Sequence, residues 1–414
     1  MSSGVSQHVL IAGAGHAGGR VAQALRAAGF DGRITMVGDE PHTPYERPAL
    51  SKELLQGTRT VGELMLEPRE FWLDEQQVVH RHGSITTVHA DRTAQLAGGE
   101  LLPFDTLVVA TGGGARRLAV PGGDLPEVRT LRTIDDCLAL RGAMTEGRRL
   151  LVIGGGVIGM EAAASGAAMG MQVTVLEGGP RVMARCLPPE GSQWLQALHA
   201  RRGVQVETGI TVRSIARVHG GLSVAARRGE QELAFAADLV LVAVGIAPAT
   251  GFLDRSGVAL DNGVLTDEFC RNPAAPWCYA VGDVANSFSV LYGRHVRQET
   301  WRNAENQARA VAAAIVGDHA EPYVELPWMW TDQLEHNIQV VGIFTPGDAV
   351  ISRVAPGVEG GVLLWLHRGR VAGGMLVDNG RERKQLEALV RRQADIAPEA
   401  LSNPDISLKE LARA

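Results

Sequence analysis

Cysteine is scarce. The chain carries four, Cys137, Cys186, Cys270 and Cys278, with none before Cys137 and no CxxC pair. That spacing excludes a zinc ribbon and a local redox disulfide, and it marks the four as buried or idle thiols. Long hydrophobic runs are missing too. The polar start MSSGVSQ leads into VLIAGAGHAGG, whose apolar stretch is too short and too broken by glycine for a signal peptide or a membrane span. The expected location is therefore the reducing cytoplasm. Nor is there an excess of positive charge: 40 Lys and Arg against 46 Asp and Glu leave a formal net charge of -6, which offers no global basic footprint for nucleic acid or an anionic membrane.

What is abundant is glycine. Fifty glycines cluster at the ends of apolar runs, where backbone must turn tightly or approach a ligand. With 45% hydrophobic residues in 414, the chain has material for two or three cored domains.

One unit occurs twice, first as HVLIAGAGHAGGRVAQALRAAGFDGRITMVGDE and later as RLLVIGGGVIGMEAAASGAAMGMQVTVLEG. Each copy is an apolar strand, a GxGxxG turn, a helix rich in small residues and a second strand ending near an acid. The first copy supplies Gly13, Gly15, Gly18 and Asp39, the second Gly154, Gly156, Gly159 and Glu177. Both predict Rossmann-type βαβ units, in which helix N-terminal N–H groups receive a pyrophosphate and the acid accepts from a ribose. Two copies predict two dinucleotides. Two of one kind would be redundant, so one is read as a resident flavin and the other as a visiting nicotinamide. Segments following the first copy, PYERPALSK, ATG and VGD, supply the extra contacts of a permanently held FAD, which places NAD(H) on the second. Glu177 stands where a 2′-phosphate would be repelled and so favours NADH, while Arg181 nearby could soften that choice.

DTLVVATGGGARRL and ADLVLVAVGIAPAT each end an apolar strand at glycine and predict the places where the chain leaves one nucleotide domain and returns to it. The expected division is a discontinuous FAD domain over 1–114 and 246–325, an NAD(H) domain over 115–245 and a C-terminal α+β domain over 326–414. The fold class is α/β for the first two.

GAGHAG, PYERPALSK, ATGGGARRL, IGGGVIGMEAAA, VGDVAN, ETWRNAENQA and PWMWTDQ, in this order along the whole chain, resemble the FAD-dependent ferredoxin reductases of bacterial oxygenase systems. The resemblance implies a glutathione-reductase-like fold. It implies that Gly13, Gly15, Ala17 and Gly18 hold the FAD pyrophosphate, Asp39 the adenosine ribose, and Arg47 and Lys52 the inner side, with Lys52 near flavin N5. Ile85, Thr111 and Arg132 would line the cofactor, Gly282-Asp283 would reach the ribityl chain, and Glu299, Thr300 and Trp301 would close the ring pocket. For NADH it names Gly154, Gly156, Ile158, Gly159, Glu161, Glu177, Arg185 and Gly245. Three positions depart from the family pattern: Ala49 replaces a second proline, GGARRL lacks one, and RCLPPE is proline-rich after the NAD-site arginine.

The implied activity is hydride transfer from NADH to FAD, then release of single electrons to a [2Fe-2S] ferredoxin that feeds a Rieske-type oxygenase or a cytochrome P450. Relatives that reduce disulfides place a cysteine soon after the first fingerprint, and this chain does not. Several residues keep a second reading. Lys52 is either a charge beside the flavin or a surface lysine at a helix start; Glu161 either approaches the nicotinamide or is a helix-N-terminal acid favoured by the dipole. Trp330 is either a flavin-side aromatic or core packing. Arg294, Arg297, Arg302 and Arg309 are either a docking face for an acidic ferredoxin or a solvated helix surface. Two rival functions stay open at this level: a small-molecule (quinone or monodehydroascorbate) reductase, and a flavin redox switch akin to apoptosis-inducing-factor relatives.

Overall fold

The strand HVLIA, His8–Ala12, is buried at every position, as expected of a central parallel strand covered on both faces. In the computed structural model, which describes residues 7–317, 321–353 and 361–413, its side chains alternate between two cores. Val9 and Ile11 face the helices His16–Ala27 and Trp301–Val316, while Leu10 and Ala12 pack with Val88, Ala94, Leu107 and Val109. The chain divides into two compact units, one of Met1–Arg47, Val61–Gly114 and Ala247–Glu325, the other of Pro48–Thr60, Ala115–Ile246 and Leu326–Ala414. PYERPALSK therefore splits after Arg47.

The first unit holds a parallel sheet ordered Cys278–Ala280, Thr106–Val109, His8–Ala12, Arg33–Gly38, Val78–His82. A three-stranded antiparallel sheet, Ile85–Val88, Thr93–Leu96 and Leu101–Pro103, is inserted before Thr106. The second unit repeats the plan. Its parallel sheet runs Gln205–Thr208, Gln172–Glu177, Arg149–Ile153, Leu239–Val242, Val128–Arg129, and its antiparallel insert is Thr211–Val218, Gly221–Arg228 and Gln231–Ala237.

In both units the fingerprint helix lies so close to its strand that only glycine fits. A Cβ on Gly18 would stand 2.0 Å from the Gly13 carbonyl oxygen, and one on Gly159 1.9 Å from that of Gly154. Gly13 and Gly154 themselves take φ of 112° and 109°, the left-handed side that glycine adopts freely.

The second unit also contains an antiparallel sheet ordered Trp328–Gln333, His336–Gly342, Arg370–Val377, Gly361–His367, Ala349–Arg353. Arg368 and Gly369, with φ of 51° and 80°, close its last hairpin by the left-handed turn that matches strand twist. A charged helix forms over Arg383–Arg391, with Leu386, Leu389 and Val390 buried. The buried Arg353 guanidinium donates to the carbonyls of Leu401 and Ile406, so it ties the final segment to the sheet edge. Among the described residues no helix is long and apolar enough to cross a membrane.

None of the four cysteines is in a disulfide. Burial pushes the Cys137 thiol up to about 11 and holds Cys270 and Cys278 higher still. At pH 8 a thiol reagent should modify at most one cysteine, the partly exposed Cys186, in the native protein and all four after denaturation; mass spectrometry of the labelled peptides reads this. Gly159→Ala should cost about 1–3 kcal/mol in chemical unfolding, through forced overpacking. Gly156→Ala, whose Cβ meets nothing within 4 Å, should cost less than about 1 kcal/mol.

Candidate functional site

In the first unit the fingerprint turn is flanked by residues from four segments. A Cβ on Gly13 would lie 2.8 Å from Thr111 N, one on Gly15 would meet only Arg47 Nη2 at 3.4 Å, and one on Gly282 would touch Ala17 at 3.1 Å. Arg47 donates to Glu40 at 2.6 Å and to the Tyr45 hydroxyl at 2.7 Å. Burial works against its charge, but Tyr45, Glu40 and Asp283 outweigh it and hold its pKa above the ordinary value. Thr300 caps the helix Trp301–Val316 by accepting from Asn303 N, Trp301 Nε1 donates to Glu46 at 3.3 Å, and its ring lies 5.4 Å from that of His16 inside the fingerprint. Gly282 N donates to Gln307. Ile85 packs with the Leu10 and Ala12 core, and Arg132 sits in the second unit, where its N–H donates to Asp136.

The two acids read as equivalents are not equivalent. Gly13 N donates to Val37 O and Gly154 N to Leu176 O, so the counterpart of Glu177 is Gly38, and Asp39 lies one residue further on. Sterics explain the offset. A Cβ on Gly38 would meet the Ala14 Cβ at 2.4 Å, whereas in the second unit the corresponding pair is Glu177 and Gly155. Asp39 is exposed. The Glu177 carboxylate accepts from Gly155 N and Gly179 N, both at 2.6 Å, and so ties the fingerprint turn to the strand end. Arg181 is committed within its own loop, donating to Leu187 O and Ser192 Oγ. Arg185 is exposed, Gly245 O accepts from Arg116 N, and Ile158 is 42% exposed at the start of the helix Val157–Ala168.

Lys52, Glu161 and Trp330, far apart in sequence, meet within the second unit. Lys52 is 8% exposed, which removes the surface reading; its Nζ donates to Asp332 at 2.6 Å and lies 5.7 Å from the Trp330 ring centroid. Glu161 is in the second turn of its helix, past the reach of the helix terminus, and is 4% exposed. Its carboxylate accepts from Ser51 Oγ at 2.5 Å and Thr331 Oγ1 at 2.6 Å. Burial pushes the Glu161 carboxyl up, and Lys52, Ser51 and Thr331 pull it back without cancelling that rise. Burial also works against the Lys52 ammonium, but Glu161 and Asp332 hold its pKa above the usual value. Trp330 is half-buried and stacks on Trp328 with centroids 5.4 Å apart.

Sequence reasoning missed Ser51, Thr331 and Asp332, although PALSK and WTDQ spelled them out beside the residues it chose. It also missed Cys137, whose Sγ donates to Leu50 O at 3.1 Å and so lies against the PALSK segment despite its distance along the chain. The four arginines do not make one basic face. Arg297 is half-buried and pairs with Glu299, and Arg302 pairs with Glu325, which leaves Arg294 and Arg309 exposed, the latter beside Glu305.

Residues 7–308 match the pyridine nucleotide-disulphide oxidoreductase family and residues 328–412 the reductase C-terminal family. The chain is 37% identical to the anthranilate 1,2-dioxygenase system ferredoxin–NAD(+) reductase component of Burkholderia cepacia, over 97% of this chain and 98% of that one. Among solved structures, the ferredoxin reductase for the CYP199A2 system from Rhodopseudomonas palustris superposes with a TM-score of 0.93 at 34% identity, covering 98% of this chain and 100% of that one. Putidaredoxin reductase in its covalent complex with putidaredoxin gives 0.92 at 33%, covering 99% of each. With its duplicated dinucleotide fold and its C-terminal antiparallel sheet, the chain belongs to the pyridine nucleotide-disulphide oxidoreductase family, among the FAD-dependent ferredoxin reductases of bacterial oxygenase systems.

Proposed function

We propose that the protein is an NADH-dependent flavoprotein reductase that delivers single electrons to a [2Fe-2S] ferredoxin serving a Rieske-type oxygenase or a cytochrome P450, in a reducing cytoplasm. The observation that carries the reading is chemical: a buried lysine stands beside PALSK, and the one cysteine against that segment is protonated and alone. Cys137, raised to about 11 by burial, is a poor nucleophile and is in no disulfide. Relatives of the same kind are named for ferredoxin reduction, and one is solved as a complex with putidaredoxin.

The residues fit two dinucleotides. In the first unit the Gly15 face is open except for Arg47, which suits an FAD pyrophosphate, and in the second nothing stands before Gly156, which suits NAD(H). We assign 1–114 with 246–325 to FAD, 115–245 to NAD(H) and 326–414 to the C-terminal domain. Bound FAD supplies a ring that accepts a hydride and gives up electrons one at a time. Lys52 would offer a fixed positive charge to a reduced flavin; Asp332 and Glu161 keep that ammonium charged, and the Trp330 ring lies 5.7 Å from it. Glu177 sets a carboxylate at the strand end, where an added 2′-phosphate meets like charge, and Arg181 is not available to relieve it.

Steady-state assays with a [2Fe-2S] ferredoxin against simple quinones test the whole reading, and a ferredoxin rate no better than background would overturn it. Lys52→Met should slow flavin reduction about tenfold or more in stopped flow while NADH binding stays nearly unchanged. Glu177→Gln should raise the NADPH-to-NADH ratio of kcat/KM about tenfold.

The Lys52–Asp332 pair has a signed pH dependence. Burial works to raise the Asp332 carboxyl, but hydrogen bonds from Lys52 and Asn337 outweigh it and hold it below 3.8. A depressed carboxyl contributes stability above its unfolded value that is lost as pH falls through the folded one, and the raised lysine contributes stability below 10.5 that is lost as pH rises past its folded value. Asp332→Asn should therefore flatten the acid limb of the thermal-stability profile and leave the neutral region lower but level.

A further inference from the structure

One nitrogen inside the second unit has nothing to bond. His199, on the helix Pro189–Arg201, is fully buried, and its Nδ1 has no hydrogen-bond partner among the described residues. Its other ring nitrogen, Nε2, lies 2.9 Å from Gln333 Oε1; Gln333 Nε2 donates to Thr331 Oγ1 at 2.8 Å; and Thr331 Oγ1 donates to Glu161 Oε1 at 2.6 Å. Thr331 and Gln333 are also fully buried. Four side chains thus form one unbranched line from the helix to the carboxylate.

The direction of every bond follows from its last member. With Glu161 ionised beside the Lys52 ammonium its carboxylate only accepts, and the single proton of the Thr331 hydroxyl then points to Glu161. Thr331 must then receive a donor, which commits the Gln333 amide nitrogen and turns its oxygen toward His199. That oxygen can only accept, so His199 carries its proton on Nε2, and the bare nitrogen is Nδ1, the one that lacks a partner. The orphan atom and the polarity of the chain agree.

We propose that His199, Gln333 and Thr331 are positioning residues, a one-way hydrogen-bond line that keeps Glu161 an acceptor beside Lys52. If Glu161 took up a proton on Oε1, Thr331 Oγ1 would receive two donors and its own proton would lose its acceptor, and relief would require the amide to turn over and the imidazole to change tautomer. An amide does not relay protons, so the line transmits orientation and insulates Glu161 from His199. Burial holds His199 below the usual histidine value and outweighs the hydrogen bond with Gln333, which works to raise it. The charged groups facing Glu161 are Lys52 on its own segment, with Glu53 next to it, and Asp332 on the strand Trp328–Gln333. Ser51 supplies the other donor. The consequence for the reaction rests on the reading above that Glu161 and Lys52 stand at the redox site.

Two measurements on the holoenzyme test this. In ¹⁵N spectra of histidine-labelled protein from pH 6 to 9, His199 should be neutral with the proton on Nε2 throughout; an Nδ1–H tautomer or an imidazolium at pH 7 overturns the proposal. In ¹³C titration of the Glu161 carboxyl, Gln333→Leu should raise the midpoint by about half a pH unit or more, a roughly threefold change in the protonation equilibrium. His199→Gln, which restores an N–H at the same place, should leave it near wild type. An unmoved midpoint in folded Gln333→Leu overturns the proposal, and His199→Phe gives the same test if that variant does not fold. Should the midpoint move while the pH profile of flavin reduction by NADH does not, the line stands and the placement of Glu161 at the redox site falls.

Discussion

A lysine ammonium taken out of water needs carboxylate nearby, and that requirement organises the second unit. Lys52 draws Asp332 from the strand Trp328–Gln333 and the field of Glu161 from the helix Val157–Ala168 onto the short Pro48–Ser51 turn. Three stretches separated by more than a hundred residues thereby share one polar cluster. An unpaired charge there would be costly, since breaking a buried pair typically costs about 3–5 kcal/mol. The hydroxyls of Ser51 and Thr331 complete the cluster by occupying Glu161. The choice of lysine is itself informative, because the chain has only three, Lys52, Lys384 and Lys409, among 40 basic residues. A compact ammonium concentrates charge at one point, whereas a guanidinium spreads it over a planar fork that needs more partners.

The two dinucleotide folds show how one plan tolerates different edges. Both put a glycine under the fingerprint helix and a parallel strand on each side of the first, so the part that positions the turn is fixed by backbone contact. The part that reads the ligand differs. In the second unit the acid is folded back on the turn, and in the first it stands free in solvent one residue later.

Periodicity and glycine spacing made both dinucleotide folds legible, because they are local: strand, turn and helix lie within thirty residues. The chosen polar residues were legible through motif as well, and Lys52, Glu161 and Trp330 do come together. What stayed hidden depends on pairing across the chain. Nothing local says that Cys137 folds onto Leu50 or that Asp332 answers Lys52. The Asp39 offset was hidden for another reason, since a count of about twenty residues from glycine to acid cannot register a slip of one position, and the slip is visible only in which carbonyl the turn's first N–H selects.

That offset also constrains how the two halves could ever diverge or converge. Ala14 and Gly38 in one unit, Gly155 and Glu177 in the other, are two solutions to the same space, in which one of the paired positions must stay without a side chain of any length. A mutation that placed an acid at position 38 alone would strike Ala14, and one that enlarged position 155 alone would strike Glu177. The order of change is therefore constrained: Ala14 must shrink before a side chain can enter at position 38, and Glu177 before position 155 can grow.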